Sequence, residues 1–227
     1  MTICRIRHII ILKRIMYEII LYDTEDGRCP VQELLDSLEP RLLAKTLRTI
    51  DLLEMNGPLL REPYSKPLEN GIFELRTKQR SDITRVLYFF IVGKKAVLTN
   101  GFIKKSQKTQ RQKKNWQRGI KQIMNGGMAM SSYKDYKKRA LQNPEVKAEY
   151  DALQPEYDII QAMINARVQQ NMTQKDLSAK TGITQADISR IENGTRNPSL
   201  SMVKKLAQGL GMQLKLEFVP MQTKNKM

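Results

Sequence analysis

The residues best suited to do chemistry lie on three strand-like stretches in the first half of the chain. They are one glutamate and four cations: Glu74, Arg76, Arg85, Lys104 and Lys105. Glu74 and Arg76 share one face of their strand because side chains alternate along it. If the three strands are neighbours, these cations meet on one surface. Fixed cations can balance charge that develops on a phosphate, and a lysine whose pKa is lowered by like charges can transfer a proton.

A solvated basic sheet edge that only binds a polyanion is the alternative for the same residues. The net charge is +16, and the basic excess is larger before Met128 than after it. His8 is the only histidine, so the rest of the chain has none for acid–base work or metal binding. Cys4 and Cys29 offer neither a disulfide framework nor a metal cluster, which predicts a reducing, cytoplasmic setting without cofactor or metal. No apolar run is long enough to span a membrane.

Apolar periodicity and turn residues predict the elements that position this surface. Two helices are expected to open at Pro30 and Pro40, the second ending at Asn56-Gly57-Pro58. Short turns between the later strands favour an antiparallel meander. The predicted strands are Met16–Asp23, Gly71–Thr77, Ile83–Val92 and Lys95–Lys105, and a basic helix from about Thr109 to Met124 follows them.

The order β-α-α-β-β-β-α carries ELR on one strand, RVLYFF on the next and GFIKKS at the end of the last. This arrangement resembles the RelE/HigB family of toxin ribonucleases, and more narrowly its phage-derived Gp49-like branch, from Met16 to about Ile123. The resemblance implies an endoribonuclease, an mRNA interferase working with the ribosome, whose active site includes the glutamate and four cations above. Many members of the family use a histidine or a C-terminal tyrosine there, and this region has no histidine.

The stretch Phe102–Lys121 carries eight basic residues and no acidic one. We expect it to bind ribosomal RNA or mRNA through phosphate contacts rather than base sequence. Trp116 is favoured as a core anchor of the helix over a base-stacking platform. The candidate RNA-binding residues are Lys108, Arg111, Lys113, Lys114 and Arg118.

A second pattern, Thr173–Pro198, reads as two short helices at a sharp turn. Thr173 and Asp176 form a short variant of the capping box, Gly182 ends the first helix and Thr184 caps the second. The pattern resembles the Xre/phage-repressor family of helix-turn-helix domains from about Glu156 to Gly211. Expected core residues are Leu177, Ala179, Ile188 and Ile191.

The second resemblance implies binding to operator DNA. Gln185 and Ser189 are expected at base edges, with Ala186 close to the groove. Repressors of this type bind half-sites as dimers, so this domain is expected to dimerise. The full candidate set for DNA binding is Gln174, Thr184, Gln185, Ala186, Ser189, Arg190, Asn193, Thr195 and Arg196.

The helical stretch between the two domains is expected to contact the first. Its acidic residues recur at helical spacing and could face the basic domain, and three apolar or aromatic residues could be buried there. The acidic residues are Glu145, Glu149 and Asp151, and the others are Val146, Tyr150 and Leu153.

We therefore expect residues 1–15 to be a leader outside the native fold, with Met16 as the working start. The leader is a poor signal peptide, and a strand or helix added to the next domain is the alternative. Residues 126–132 form a junction typical of two adjoining reading frames. The expected regions are a toxin domain at 16–125, a toxin-contacting helical segment at 133–155, a helix-turn-helix domain at 156–220 and a tail at 221–227.

Together these expectations describe an α+β protein: a RelE-like antiparallel sheet with helices, then an all-α helix-turn-helix domain with a C-terminal strand. That strand, Met212–Val219, would need a partner from another chain or from the first domain. The chain resembles HigB followed by HigA, a type II toxin–antitoxin pair whose second part neutralises the first and represses its own promoter. The alternatives are a transcription regulator with a non-catalytic basic module, and a phage-type DNA-processing factor.

Overall fold

The structure, a computed structural model, describes residues 16–104, 130–192, 194 and 196–216. The expected leader, the basic helix and the tail lie outside these ranges. The chain divides into two compact units, with the boundary between Pro155 and Glu156. No helix within the described ranges is long and apolar enough to cross a membrane.

A mixed sheet is the frame of the first unit. Its strands are β1 (Glu18–Tyr22), β2 (Ser65–Pro67), β3 (Ile72–Gln79), β4 (Asp82–Ile91), β5 (Lys95–Lys104) and β6 (Met130–Ser132). They lie in the order β2-β3-β4-β5-β1-β6. The meander of β3, β4 and β5 is antiparallel, as the turns predict. The sheet as a whole is not antiparallel, because the helices after β1 let the chain cross over and β1 runs parallel to β5.

Two short strands were not expected from the sequence. The strand β2 pairs with β3, and β6 pairs with β1, so each forms an outer edge of the described sheet. Each has only three residues, which is too few to show an alternating pattern. Their pairing is therefore decided by the neighbouring strand and not by their own sequence.

Two helices cover one face of the sheet: α1 (Pro30–Asp36) and α2 (Pro40–Asn56). Both open at proline, as predicted, since proline has no backbone N–H to leave unsatisfied in the first turn. The Thr46 hydroxyl of α2 lies 3.3 Å from that of Thr84 on β4. Gly101 on β5 gives α1 room, because a Cβ there would lie 2.3 Å from Leu34 Cδ2.

The helical segment after β6 packs on the outer side of α2. It contains α3 (Tyr133–Ala140) and α4 (Pro144–Ala152), and Asn143 caps α4 with its side chain. Val146 and Tyr150 are buried as expected, and Leu153 is half-buried. The expected contact between this segment and the first domain is therefore present within the first unit.

The expectation that three acidic residues of the segment face the basic domain is wrong for two of them. Glu145 is exposed, and Asp151 pairs with Lys147 of its own helix at 2.6 Å. Only Glu149 reaches α2, at 3.8 Å from Arg41. Carboxylates stay in water unless a partner offsets their desolvation, and the buried acid of this interface lies on α2 instead.

The second unit is helical in its described part. Its helices are α5 (Gln154–Gln169), α6 (Gln174–Thr181), α7 (Gln185–Glu192) and α8 (Leu200–Gly209). Their apolar sides enclose a core of Met163, Ala166, Leu177, Ile183, Ile188, Ile191, Leu206 and Leu210.

Two expectations for this unit are corrected. Ala179 is exposed, because a residue two positions after Leu177 lies on the opposite side of the helix. Residues 212–216 are not a strand, and no strand within the described part of this unit could pair with them. Residues 217–219 lie outside the described ranges.

Replacing Gly57 by alanine should destabilise the first unit. Gly57 has φ 52° and ψ −130°, and a Cβ there would lie 2.1 Å from the ring of Tyr17. Strain and steric overlap together should cost about 2–4 kcal/mol, measured as a shift in urea unfolding. Gly93 also has a positive φ, but nothing lies within 4 Å of its added Cβ. Gly93→Ala should therefore cost only about 1 kcal/mol, and equal losses would contradict the steric account.

Candidate functional site

Three of the five candidate catalytic residues meet on neighbouring strands. Arg76 of β3 and Arg85 of β4 are direct partners in the sheet register. Glu74 lies between them: its Oε1 accepts a hydrogen bond from Arg76 Nε at 2.5 Å, and its Oε2 accepts one from Arg85 Nη1 at 2.9 Å. These three residues are called the Glu74 cluster below.

The Glu74 cluster is largely withdrawn from water. The exposed side-chain fraction is 6% for Glu74, 16% for Arg85 and 27% for Arg76. A buried carboxylate is tolerated when both its oxygens are paired, which the two guanidinium groups achieve here. One carboxylate cannot neutralise two arginines. The exposed Glu62, 4.0 Å from Arg76, adds little because water screens that pair.

One donor of the cluster is unused. Arg85 Nε is buried and has no hydrogen-bond acceptor among the residues that the structure describes. Buried polar atoms are almost always paired in folded proteins. The cluster therefore combines a positive excess with one buried N–H donor that no acceptor among the described residues satisfies.

The remaining candidates of the first domain are only partly placed. Lys104 ends β5 directly opposite Ile83, two positions beyond the Phe102–Arg85 pair, so its backbone lies at the same end of the sheet as the cluster. The other candidates lie outside the described residues: Lys105, Lys108, Arg111, Lys113, Lys114 and Arg118.

The Glu74 cluster and the helical segment lie on opposite sides of the sheet. Thr84 faces α2, so its neighbour Arg85 points to the other face. The helices α3 and α4 pack on α2 and therefore do not cover the cluster.

The geometry assigns Glu74 a different task from the one its residue type suggests. A general base needs a free oxygen within reach of a proton, whereas both oxygens of Glu74 hold arginines. Glu74 thus orients two cations. The sequence pattern that indicates this role is the spacing of Glu74 and Arg76, which places both on one face of β3. Arg85 lies opposite Arg76 on the neighbouring strand β4. Among the described residues, no group of three His, Cys, Asp or Glu side chains could hold a metal.

The helix-turn-helix region has the predicted local geometry. Thr173 and Asp176 form a reciprocal capping box at the start of α6, and Gly182 ends that helix with φ 68°. The Thr184 hydroxyl accepts the Asp187 N–H at 3.1 Å, which caps α7. These caps end α6 and begin α7 through residues that are close in the chain.

Most of the candidate DNA-binding side chains lie on the surface. Ser189 and Gln174 are half-buried, and Asn193 and Thr195 lie outside the described residues. The exposed candidates are Thr184, Gln185, Ala186, Arg190 and Arg196.

A buried charged pair that the sequence analysis missed supports this surface from inside. Glu192 is 1% exposed and accepts from Arg167 Nε at 3.0 Å and from Gln174 Nε2 at 2.6 Å. Gln174 is therefore held by Glu192. The available signal was the position of Arg167, which continues the apolar spacing of Ile160 and Ile164.

Asp187 holds two cations of the candidate DNA-binding set. It pairs with Arg190 at 3.4 Å and also with Arg196. The hydrogen bond from Thr184, followed by the contact with Arg196, lowers the pKa of the Asp187 carboxyl. The carboxylate is therefore ionised at neutral pH and keeps both guanidinium groups beside the first turn of α7.

Comparison with known proteins assigns both regions. Residues 33–117 match the family model described as "Phage derived protein Gp49-like". Residues 163–216 match the helix-turn-helix family model. The chain thus joins a Gp49-like region, which contains the Glu74 cluster, to a helix-turn-helix region, which contains α6, α7 and α8.

Two similar proteins are HTH-type transcriptional regulators. One, from Sinorhizobium fredii, is 41% identical over 58 residues, which is 26% of this chain and 30% of the relative. The other, from Haemophilus influenzae, is 39% identical over 67 residues, which is 30% of this chain and 66% of the relative. The chain spans less than two thirds of the length of each.

Breaking the buried pair should unfold the second unit more easily. Glu192→Gln removes the charge that compensates Arg167, and uncompensated buried charges cost about 3–5 kcal/mol. Thermal unfolding of the second unit measures this loss. Asp187→Asn is the control, since its ion pairs are more exposed, and a loss of less than about 1 kcal/mol is expected. A stability of Glu192→Gln equal to that of the control would contradict this role.

Proposed function

We propose that the chain is a type II toxin–antitoxin pair in one polypeptide. The Gp49-like region is the toxin, an mRNA endonuclease that acts with the ribosome. The segment from Met130 onward is the antitoxin, which neutralises the toxin and represses its own promoter. The observation that carries the proposal is the Glu74 cluster, a paired and oriented set of cations in a region joined to a DNA-binding fold.

The proposed reaction is cleavage of RNA by its own 2′-hydroxyl. Arg76 and Arg85 would balance the charge of the pentacovalent phosphate, which preorganised donors stabilise more in the transition state than in the ground state. Glu74 would hold both arginines in place. Lys104 or Lys105 would transfer protons, and the basic run after them would hold the RNA backbone.

Neutralisation would act at a distance from this chemistry. The helices α3 and α4 pack on α2, on the sheet face away from the Glu74 cluster. They would therefore add bulk that keeps the toxin out of the ribosome, and would leave its cations uncovered.

Repression would use the exposed side of the helix-turn-helix. Gln185 and Ser189 would contact base edges in the major groove, while Arg190 and Arg196 would contact phosphates. Two copies, dimerised through this domain, would bind half-sites about one helical turn apart.

A transcription regulator with a non-catalytic basic module is the second candidate. The names of the two similar proteins favour it. The pairing of Glu74 favours it too, because a carboxylate that partly neutralises two arginines also fits a surface that binds without catalysis. The two candidates differ in whether the first domain damages RNA.

Expression of residues 16–125 alone should arrest growth, and Arg76→Ala or Arg85→Ala should abolish the arrest. Loss of one such cation raises the barrier by about 2–4 kcal/mol, roughly 30- to 1000-fold in rate. Growth curves and primer extension on cellular mRNA measure the effect.

Arg28→Ala is the control for loss of an arginine away from the cluster, because Arg28 is exposed and pairs with Glu33 of the same loop–helix region. It should arrest growth fully. Co-expression of residues 130–227 should restore growth. Full arrest by both cluster variants, with mRNA cleavage intact, would exclude the proposed site, and no arrest by the unmodified domain would favour the regulator.

Gln185→Ala should relax operator preference by about 1–3 kcal/mol at one base position. Arg196→Ala should weaken binding to all sequences alike, since phosphate contacts carry no sequence information. Binding to a randomised operator library, sequenced before and after selection, separates these outcomes. An unchanged preference in Gln185→Ala would show that another residue reads that base.

A further inference from the structure

The side of α2 that faces away from the sheet carries three buried charged residues, whereas a buried helix face is usually apolar. Lys45, Arg48 and Asp51 follow one another at intervals of three residues, and each is less than 9% exposed. Such a stripe of charge is typical of a helix face that meets water. Here α3 and α4 cover it.

Asp51 receives hydrogen bonds from three side chains of the covering segment. Its Oδ1 accepts from Tyr133 Oη at 3.1 Å and from Lys137 Nζ at 2.7 Å. Its Oδ2 accepts from Tyr150 Oη. Burial, followed by the charge of Asp51, raises the pKa of both tyrosines above the usual value, so both hydroxyls remain donors at neutral pH.

Arg48 binds the same tyrosine from the other side. Its Nε and Nη2 donate to the Tyr150 carbonyl oxygen at 3.1 and 2.7 Å. Its guanidinium carbon lies 3.5 Å from the centre of the Tyr150 ring, a cation–π contact. Tyr150 is thus fixed by its ring, its hydroxyl and its backbone.

The strand β6 adds mainly backbone contacts, which discriminate little between sequences. It pairs with β1 through backbone hydrogen bonds and so becomes the outer strand on that side of the sheet, and Ser131 Oγ donates to Asp23 at 2.6 Å. Strand addition gives affinity, while specificity comes from side chains. Selection of the correct segment therefore falls to the side chains that meet α1 and α2. Tyr136 donates to Asp36 Oδ1 of α1 at 2.8 Å, and the larger set of charged contacts lies on α2.

We infer that Arg48 and Asp51 are the recognition residues by which the first domain selects residues 130–152, and that this segment is an exchangeable partner and not a permanent part of the core. This surface of α2 fits a pair of helices that presents two tyrosine hydroxyls and one lysine. The lysine lies one helical turn after the first tyrosine, as Lys137 does after Tyr133. Tyrosine anchors against arginine are typical of protein–protein interfaces. The inference rests on the proposed division into toxin and antitoxin.

Exchange is physically reasonable because of the charge on α2. When the segment leaves, Lys45, Arg48 and Asp51 return to water, which solvates them well. An apolar stripe would instead be left exposed at a large cost. The first domain can thus release this segment without exposing a hydrophobic surface at these positions.

The test uses the full chain with a protease recognition sequence inserted between Gly126 and Gly127. After cleavage, the C-terminal fragment is immobilised by a tag at its end, and dissociation of the N-terminal fragment is followed over time. The unmodified fragments should stay associated on size exclusion and separate slowly on dilution. Immediate separation would overturn the inference.

Asp51→Asn should weaken association on the order of 100-fold, because Asn presents an N–H group to donors and leaves a lysine unpaired. The matched control is Glu149→Gln, which removes a carboxylate whose ion pair is long and half-exposed. It should change affinity less than about fivefold. Equal effects of the two changes would overturn the inference.

If Asp51→Asn disturbs the fold of the first domain, substitutions in residues 130–152 test the same contacts. Tyr133→Phe and Tyr150→Phe leave that domain unaltered, and each should weaken association on the order of tenfold. In a double-mutant cycle, Tyr150→Phe should add little to Asp51→Asn. Additive losses would overturn the inference. Growth arrest is a separate readout, so failure of the toxin proposal would not be mistaken for failure here.

Discussion

The carboxylate of Asp51 is the interaction on which the packing of α3 and α4 against α2 depends. Tyr133, Lys137 and Tyr150 all donate to it from the covering segment. A buried carboxylate is stable only while such donors surround it, because an unpaired buried charge costs several kcal/mol. The segment must therefore bind α2 in one register, and that register sets the positions of α3 and α4.

The sheet separates this joining surface from the candidate chemistry. Residues that alternate along β4 face α2 at Thr84 and the Glu74 cluster at Arg85. The first domain can therefore carry its partner on one face and keep two arginines oriented on the other. Under the proposed function, inhibition would concern access to a large substrate and would leave the cations uncovered.

Local patterns in the sequence predicted much of the fold. Turn residues predicted the antiparallel meander, and prolines marked the starts of α1 and α2. The capping box at Thr173 and the left-handed Gly182 fixed the turn between α6 and α7. The E-x-R spacing placed Glu74 and Arg76 on one face. Each of these features depends on residues that are close in the chain.

Local sequence patterns did not predict which charged residues become buried through contacts with distant parts of the chain. Asp51 meets a tyrosine 99 residues away, and Glu192 meets an arginine 25 residues away. Nothing in the local pattern separates these acids from Glu145, which stays in water. The short strands β2 and β6 were missed for the same reason, since a distant partner makes them strands.

Under the proposed function, release of residues 130–152 should activate the first domain. The direct measurement is cleavage of mRNA on translating ribosomes by the protease-cleavable chain, mapped by primer extension before cleavage and after separation of the fragments. The account predicts no cleavage by the joined chain and site-specific cleavage by the released N-terminal fragment. Equal cleavage by the joined and released forms would contradict it.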